Sequence, residues 1–441
     1  MVTSTLIEEL IMTLRQRFTF HLPLPAFALA TLGVLIMLAT APALAQTFTV
    51  LHTFTGGADG GIPMGGVTVG GSGTLYGATY FGGAHECGTV FKLVRRGSGW
   101  TLAPLYEFTQ GDDCEPEGPV TVGPNGAVYG TTEYTSLGVR GTVFEVQPPA
   151  TACKTAICYW NETVLHTFQG GANDGASPAN TNLVFDQAGN LYGTTQYGGS
   201  GLGYQGEPGG GTVFELSPSS GGWTFSIVHN FNNDGIDGYD PLYGVIFDPA
   251  GNLYGTTYYG GTFGIFGGTA FELTPSGGTW TENIIYNFPG VGNGLNSDPT
   301  ALIMDQSGNL YGSTVEGGDR TDGSIFELMP SQGSWTFSTL YAFSTQYCGP
   351  GPLARDTSGN FYGTCSLGGL HDLGWVFKLT NTGGSWTATD LHDFTGGSGG
   401  DFPAGPVVLD NNGNLYGTTS EGGLLFGCEG EGCGVVWEIT P

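Results

Sequence analysis

One heptapeptide, GNLYGTT, recurs along the chain and decides what it can fold into. It stands intact at 189–195, 251–257 and 413–419. Near copies begin at Gly73 (GTLYGAT), Gly126 (GAVYGTT), Gly308 (GNLYGST) and Gly359 (GNFYGTC). Their tyrosines, Tyr76, Tyr129, Tyr192, Tyr254, Tyr311, Tyr362 and Tyr416, are spaced about 57 residues apart on average, the size of one propeller blade. Seven copies running nearly end to end argue for one closed array rather than two or three separate domains.

Each period divides into four short apolar runs separated by turn residues. The first ends in aspartate, as in 183–186 and 245–248, and the Asp-x-x-Gly-Asn after it is hairpin chemistry. LYGTT follows, rich in β-formers, with a central glycine that lets a backbone or ring approach closely. After a Gly-rich loop of variable length comes the third run, at 89–93, 142–146, 212–216 and 324–328. The fourth opens on Trp100, Trp160, Trp223, Trp280, Trp335 or Trp386, always five residues before a Leu-type position. Four antiparallel strands per period and seven periods predict an all-β chain, a seven-bladed β-propeller. The last period stops after its third strand, at 435–439, while 47–54 (TFTVLHTF) carries a fourth-strand signature with no blade before it. The N-terminal strand is therefore expected to close the last blade and leave no open edge.

Residues 1–45 read as a signal peptide, with Arg15 and Arg17 ahead of an apolar run and Ala43-Leu44-Ala45 before Gln46. The alternative is an uncleaved anchor helix. Residues 46–441 then form the propeller domain, secreted, periplasmic or at the cell surface, with no second run of membrane-spanning length. The leader's two arginines balance Glu8 and Glu9, so the mature chain keeps the full net charge of −28. That charge repels phosphate backbones and anionic lipid, which argues against nucleic-acid and membrane-surface partners. In an exported chain the eight cysteines read as disulfides, paired by proximity as Cys87 with Cys114, Cys153 with Cys158, Cys348 with Cys365 and Cys428 with Cys433.

These motifs resemble the GloVer tandem-repeat family of exported bacterial proteins, over residues 47–441. The resemblance implies a secreted or surface repeat protein and brings no catalytic residue or substrate. Family members often carry a C-terminal anchor; this chain ends on a strand, so free secretion is favoured.

A residue repeated in every blade is scaffold, because one site does not need seven equivalents. His52, His166, His229 and His392 share a slot with Tyr106, Tyr286 and Tyr341, and are expected to pack as aromatics near a blade edge. Function should lie where the copies differ, in the loops behind LYGTT. Those loops carry Tyr80, Phe81, Tyr134, Tyr197, Tyr204, Tyr258, Tyr259, Phe263 and Phe266. Flat rings beside Asn, Asp and Gly suit an extracellular ligand such as a glycan, bound by a monomer. The competing expectation is that the rings merely cap the blades. Arg355 is a further candidate, since it breaks an apolar slot on the innermost strand and either enters the central channel or pairs with an acidic neighbour. Asp234, Asp237 and Asp240, at spacing three, are candidate calcium ligands; no other cofactor is implied. No P-loop or HExxH is present, and the GxSxG at 396–400 lacks the strand–turn–helix setting. The leading expectation is therefore a non-enzymatic binding protein. The alternatives are a carbohydrate-active hydrolase or lyase with acids at the channel mouth, and a structural envelope protein.

Overall fold

The aspartate turn is what folds each period first. In this computed structural model Asp186 Oδ1 accepts the backbone N–H groups of Ala188 and Asn190, both at 2.8 Å, while Oδ2 takes the Asn190 amide. Gly189 in the same turn sits at φ +88°, which glycine reaches without strain. Asp248, Asp305, Asp356 and Asp410 repeat this arrangement. The structure describes residues 46–441 apart from 110–113, 134–139, 151–157, 207, 291–296, 317–321, 345–347 and 425–427.

Each turn joins strand a to strand b of a four-stranded antiparallel sheet, and strands c and d follow. Blade 1 runs through Val67–Val69, Leu75–Thr79, Thr89–Arg96 and Gly99–Glu107. Blades 2 to 6 repeat this order, and the seven sheets form a seven-bladed propeller. The last blade is closed as the sequence predicts: Thr47–Thr53 pairs antiparallel with Val435–Thr440, from Thr47 opposite Thr440 to Thr53 opposite Val435. In every c–d pair one strand-d residue is skipped, for example between Val213 and Phe214, where Val228 has no partner. This bulge falls on the Leu-type position of the repeat and adds local twist.

The central glycine of LYGTT makes room for the strand-c ring beside it. A Cβ on Gly193 would lie 2.7 Å from Cζ of Phe214, and Gly77, Gly130, Gly255, Gly312 and Gly363 face a phenylalanine in the same way. Trp437 takes that place in blade 7. The core lies between blades more than within them: Phe54, Val436 and Tyr416 of blade 7 pack with Leu75, Phe91 and Leu93 of blade 1. The repeated tryptophan crosses the same boundary. Trp160, Trp223, Trp280, Trp335 and Trp100 each meet the strand-b tyrosine of the preceding blade, with ring centroids 5.9 to 6.5 Å apart.

Three of the proximity-paired disulfides are present: Cys87–Cys114, Cys348–Cys365 and Cys428–Cys433. Cys158 is also disulfide-bonded, and Cys153 lies outside the described residues. Among the described residues no helix is long and apolar enough to cross a membrane.

Candidate functional site

The connection from strand d to the next strand a carries a feature the repeat motif does not advertise. Before each of seven prolines stands a residue with a left-handed backbone: Ile62, Glu115, Ser177, Asp240, Asp298, Gly349 and Phe402, with φ between 48° and 62°. Six of these are not glycine, and side-chain-bearing residues seldom adopt that conformation. Two backbone hydrogen bonds hold it. Asp240 N donates to Gly210 O at 2.8 Å, and Asp240 O accepts from Tyr258 N at 3.0 Å. The proline behind it packs against the glycine that opens strand c, as Pro241 does on Gly211. The conformation is fixed by its surroundings, so the side chain at this position is free to vary.

Three of the seven are acidic, and they differ in how their carboxylates are satisfied. Glu115 receives a hydrogen bond from Tyr80, and Asp298 Oδ2 accepts from the Tyr258 hydroxyl at 2.9 Å. In blade 3 the residue corresponding to Tyr80 and Tyr258 is Gln196, whose side chain turns to Tyr197 instead. Asp240 is left with only 4% of its surface exposed and with Oδ1 buried and unpartnered. Burial pushes its carboxyl up to about 7. An unsatisfied buried carboxylate is costly and asks for a ligand or a proton.

Asp240 lines a pocket of about 270 Å³ together with Tyr197, Tyr204, Arg140 and a glycine-rich wall that includes Gly199 and Gly203. Short two-stranded ladders run through these loops, pairing Gly175–Ala176 with Tyr197–Gly198 and Gly238–Tyr239 with Tyr259–Gly260. They tie the d–a connections to the b–c loops, so both sets of loops share one face. Tyr197 and Tyr204 keep 44% and 48% of their surface exposed, unusually much for such rings. Tyr259 lies 6.3 Å from Tyr204 and 5.5 Å from the fully buried Tyr239, extending the aromatic wall toward blade 4.

The sequence-predicted residues are thus divided by the fold. Tyr197 and Tyr259 join Tyr204 at the pocket and its border. Tyr258 is committed to Asp298, and Tyr80 sits among Glu115, Glu117 and Glu133, which with burial push its hydroxyl up to about 12. Tyr134 lies outside the described residues. Arg355 is on the innermost strand but does not line the central cavity. Its guanidinium stacks over Tyr311 and Phe361, 5.4 and 5.8 Å from their centroids, with Asp305 Oδ2 at 3.9 Å, so it bridges blades 5 and 6. The three aspartates of the proposed calcium loop do not converge either. Asp234 accepts the N–H groups of Ile236 and Asp237 at 2.9 and 3.0 Å, Asp240 belongs to the pocket, and Asp237 meets His229. Sequence reasoning noted the tyrosines and Asp240 separately but missed their union. The Asp-Pro dipeptide in a slot filled differently in each blade was the available signal.

The central cavity is larger, about 780 Å³, and is lined by strand-a and connection residues such as Thr68, Val120, Thr121, Leu183, Ile303 and Leu353. No Asp, Glu, His, Lys or Arg is among its described lining residues.

Comparison with solved structures finds chains of low identity, with TM-scores below 0.5. The gluconolactonase of Xanthomonas campestris is 12% identical, with a TM-score of 0.42 over 91% of this chain and 93% of its own. A Lactobacillus plantarum protein is 13% identical, with a TM-score of 0.47 over 80% and 95%. A hypothetical selenium-binding protein of Sulfolobus tokodaii is 12% identical, with a TM-score of 0.47 over 76% and 80%. No curated protein matches the sequence. The Gloeobacter/Verrucomicrobia repeat model matches three overlapping stretches, 31–205, 160–354 and 298–441, and the chain belongs to that repeat family.

Proposed function

We propose that this protein is an exported binding protein that takes a carbohydrate in the pocket formed by Tyr197, Tyr204 and Asp240. The observation that carries the proposal is that Asp240, a buried carboxyl group with an unpartnered oxygen, lines the same pocket as two exposed tyrosines. A sugar offers what that combination lacks. Its C–H faces stack on flat aromatic rings, and its hydroxyls donate to a carboxylate that the protein leaves without a donor. Arg140 at the rim can donate to ring or hydroxyl oxygens.

Binding is favoured over catalysis by the inventory of the pocket. Glycoside hydrolysis uses two carboxyl groups flanking the scissile bond, and among its described lining residues Asp240 is the only one. Among its described lining residues the central cavity has no Asp, Glu or His to form an acid–base pair. Export is supported by the leader at 1–45 and by disulfides, which persist in oxidising compartments.

A glycan array probed with the leaderless protein tests the proposal, followed by calorimetry on the best hit. Tyr204→Ala should weaken binding about tenfold or more, from the loss of one stacking face. Affinity should also rise with pH through about 7, because hydroxyl donors favour the charged form of Asp240. Absence of any glycan hit, or a hit untouched by both Tyr204→Ala and Asp240→Asn, overturns the assignment.

A further inference from the structure

Histidine fills the strand-d slot in blades 7, 2, 3 and 6, at His52, His166, His229 and His392. In the first three an aspartate from the following connection meets its Nε2. The distances are 3.0 Å for His52 to Asp59, 3.0 Å for His166 to Asp174 and 3.4 Å for His229 to Asp237. What lies across the blade boundary differs. The third residue of the next blade's strand-d opening, Trp-Thr-x or its equivalent, covers the ring: Phe225 stacks on His166 at 4.1 Å, Phe48 on His392 at 3.6 Å, and Phe337 on Tyr286 at 4.2 Å. Opposite His229 that position is Glu282, with Oε1 3.4 Å from Nε2. The other glutamate at this position, Glu162, follows a blade that carries Tyr106 in place of histidine.

The repeat thus supplies its own control. At one boundary an apolar plate is replaced by a carboxyl group, which stands as a second acidic side chain beside Asp237. The three side chains keep 19, 10 and 17% of their surface exposed for His229, Asp237 and Glu282. Among the described residues no Lys or Arg pairs with either acid. Crowding two shielded carboxyl groups against one imidazole is costly unless a cation or a shared proton compensates. Asp237 is aimed by backbone donors, Asn232 N at 2.9 Å and Gly238 N at 2.6 Å, while Glu282 Oε1 is shielded from solvent and accepts no hydrogen bond. One donor atom from each residue lies within 4.8 Å of the others, the only such His/Cys/Asp/Glu group among the described residues. Ligands bound to zinc at about 2.1 Å in a tetrahedron are roughly 3.4 Å apart, and the two edges at His229 have that length.

We propose that His229, Asp237 and Glu282 bind a divalent transition cation, best matched by zinc, with the fourth position open to water. One imidazole and two carboxylates in a tetrahedral corner suit zinc. Calcium gathers more oxygen ligands than this corner provides. Only Asp237 among the three aspartates singled out in the sequence takes part.

The test is a titration of the chelator-stripped, leaderless protein with zinc by calorimetry and with cobalt(II) by visible absorption. One equivalent of zinc should bind, and cobalt should give the intense bands of a tetrahedral site. Glu282→Phe restores the residue that the repeat places over His166 and Tyr286; it should abolish the bands and weaken zinc binding about a hundredfold or more. His229→Tyr, the residue of the slot at Tyr286, and the near-isosteric Glu282→Gln provide the same test should the first variant fail to fold, with a thermal melt confirming the fold of each. Octahedral-type cobalt spectra, calcium bound in preference to zinc, or zinc binding unchanged in the folded variants would overturn the proposal.

Discussion

The Thr418 hydroxyl donates to the carbonyl of Pro63 at 2.8 Å, joining residues 355 positions apart in the chain. It is the terminal instance of a repeated lock. Thr194, Thr256 and Ser313, in the same slot of strand b, donate to Tyr243, Thr300 and Gly351 at 3.0, 3.0 and 2.8 Å. Each hydroxyl ties its blade to the connection entering the next blade. Thr418→Val keeps the shape and removes the donor, leaving the carbonyls of Pro63 and Ala404 without it. Denaturant unfolding should show a loss of about 1 to 3 kcal/mol. Deleting 46–54, which strips the closing strand from blade 7, should abolish the single cooperative transition. An unchanged melt for that deletion would mean that the ring does not depend on its closure.

Gly193 and Gly221 make a matched pair. A Cβ at 193 meets the Phe214 ring, whereas at 221 it meets nothing within 4 Å. Gly193→Ala should destabilise by about 1 to 3 kcal/mol through overpacking, and Gly221→Ala should change stability by no more than about 0.5 kcal/mol. Equal effects at the two positions would remove the ring-accommodation account of LYGTT.

Asp240 predicts a pH dependence with a definite sign. Its folded-state pKa, near 7, lies above the ordinary carboxylate value because of burial. Between about pH 4 and pH 7 the folded protein therefore holds a proton that the unfolded chain has released. Stability contributed by this group is present below that window and is lost as pH rises through it, by up to about 4 kcal/mol. Asp240→Asn should flatten the decline and melt at higher temperature than the wild type at pH 8, while binding carbohydrate less well. A variant no more stable at pH 8 would mean that Asp240 is not strained by its surroundings.

The disulfides can be read directly by mass. None of the described cysteines is free, so alkylation without reductant should add nothing at Cys87, Cys114, Cys158, Cys348, Cys365, Cys428 or Cys433. Replacing Cys348 and Cys365 together should cost about 3 kcal/mol for a loop of this separation, 17 residues. Adducts at these positions in the unreduced protein would contradict the pairing.

The fold was legible because its determinants are local and repeated. Asp-x-x-Gly-Asn forms its turn from its own five residues, and the glycine of LYGTT is paired with a ring at constant spacing. The unpaired strand signature at 47–54 announced its distant partner. The site was less legible because it depends on contrasts between copies. Nothing in the string says that Gln196, standing where Tyr80 and Tyr258 stand, leaves Asp240 unsatisfied. Nor does it say that Glu282 falls opposite a histidine, where Glu162 follows a blade carrying tyrosine. Arg355 stands out in the sequence as a charge in an apolar slot, but its direction is set by Tyr311 and Asp305 of the preceding blade, about fifty residues away in the chain.

The seven pre-proline residues carry a consequence for how such a chain diversifies. Their backbone is held by a neighbouring proline, a glycine and main-chain hydrogen bonds, none of which consults the side chain. Ile62, Glu115, Ser177, Asp240, Asp298, Gly349 and Phe402 already show how widely that side chain varies within one molecule. The ring therefore works like a typesetter's frame, with seven fixed sockets that accept different letters. A new ligand preference can arise by exchanging one letter while the frame stays locked.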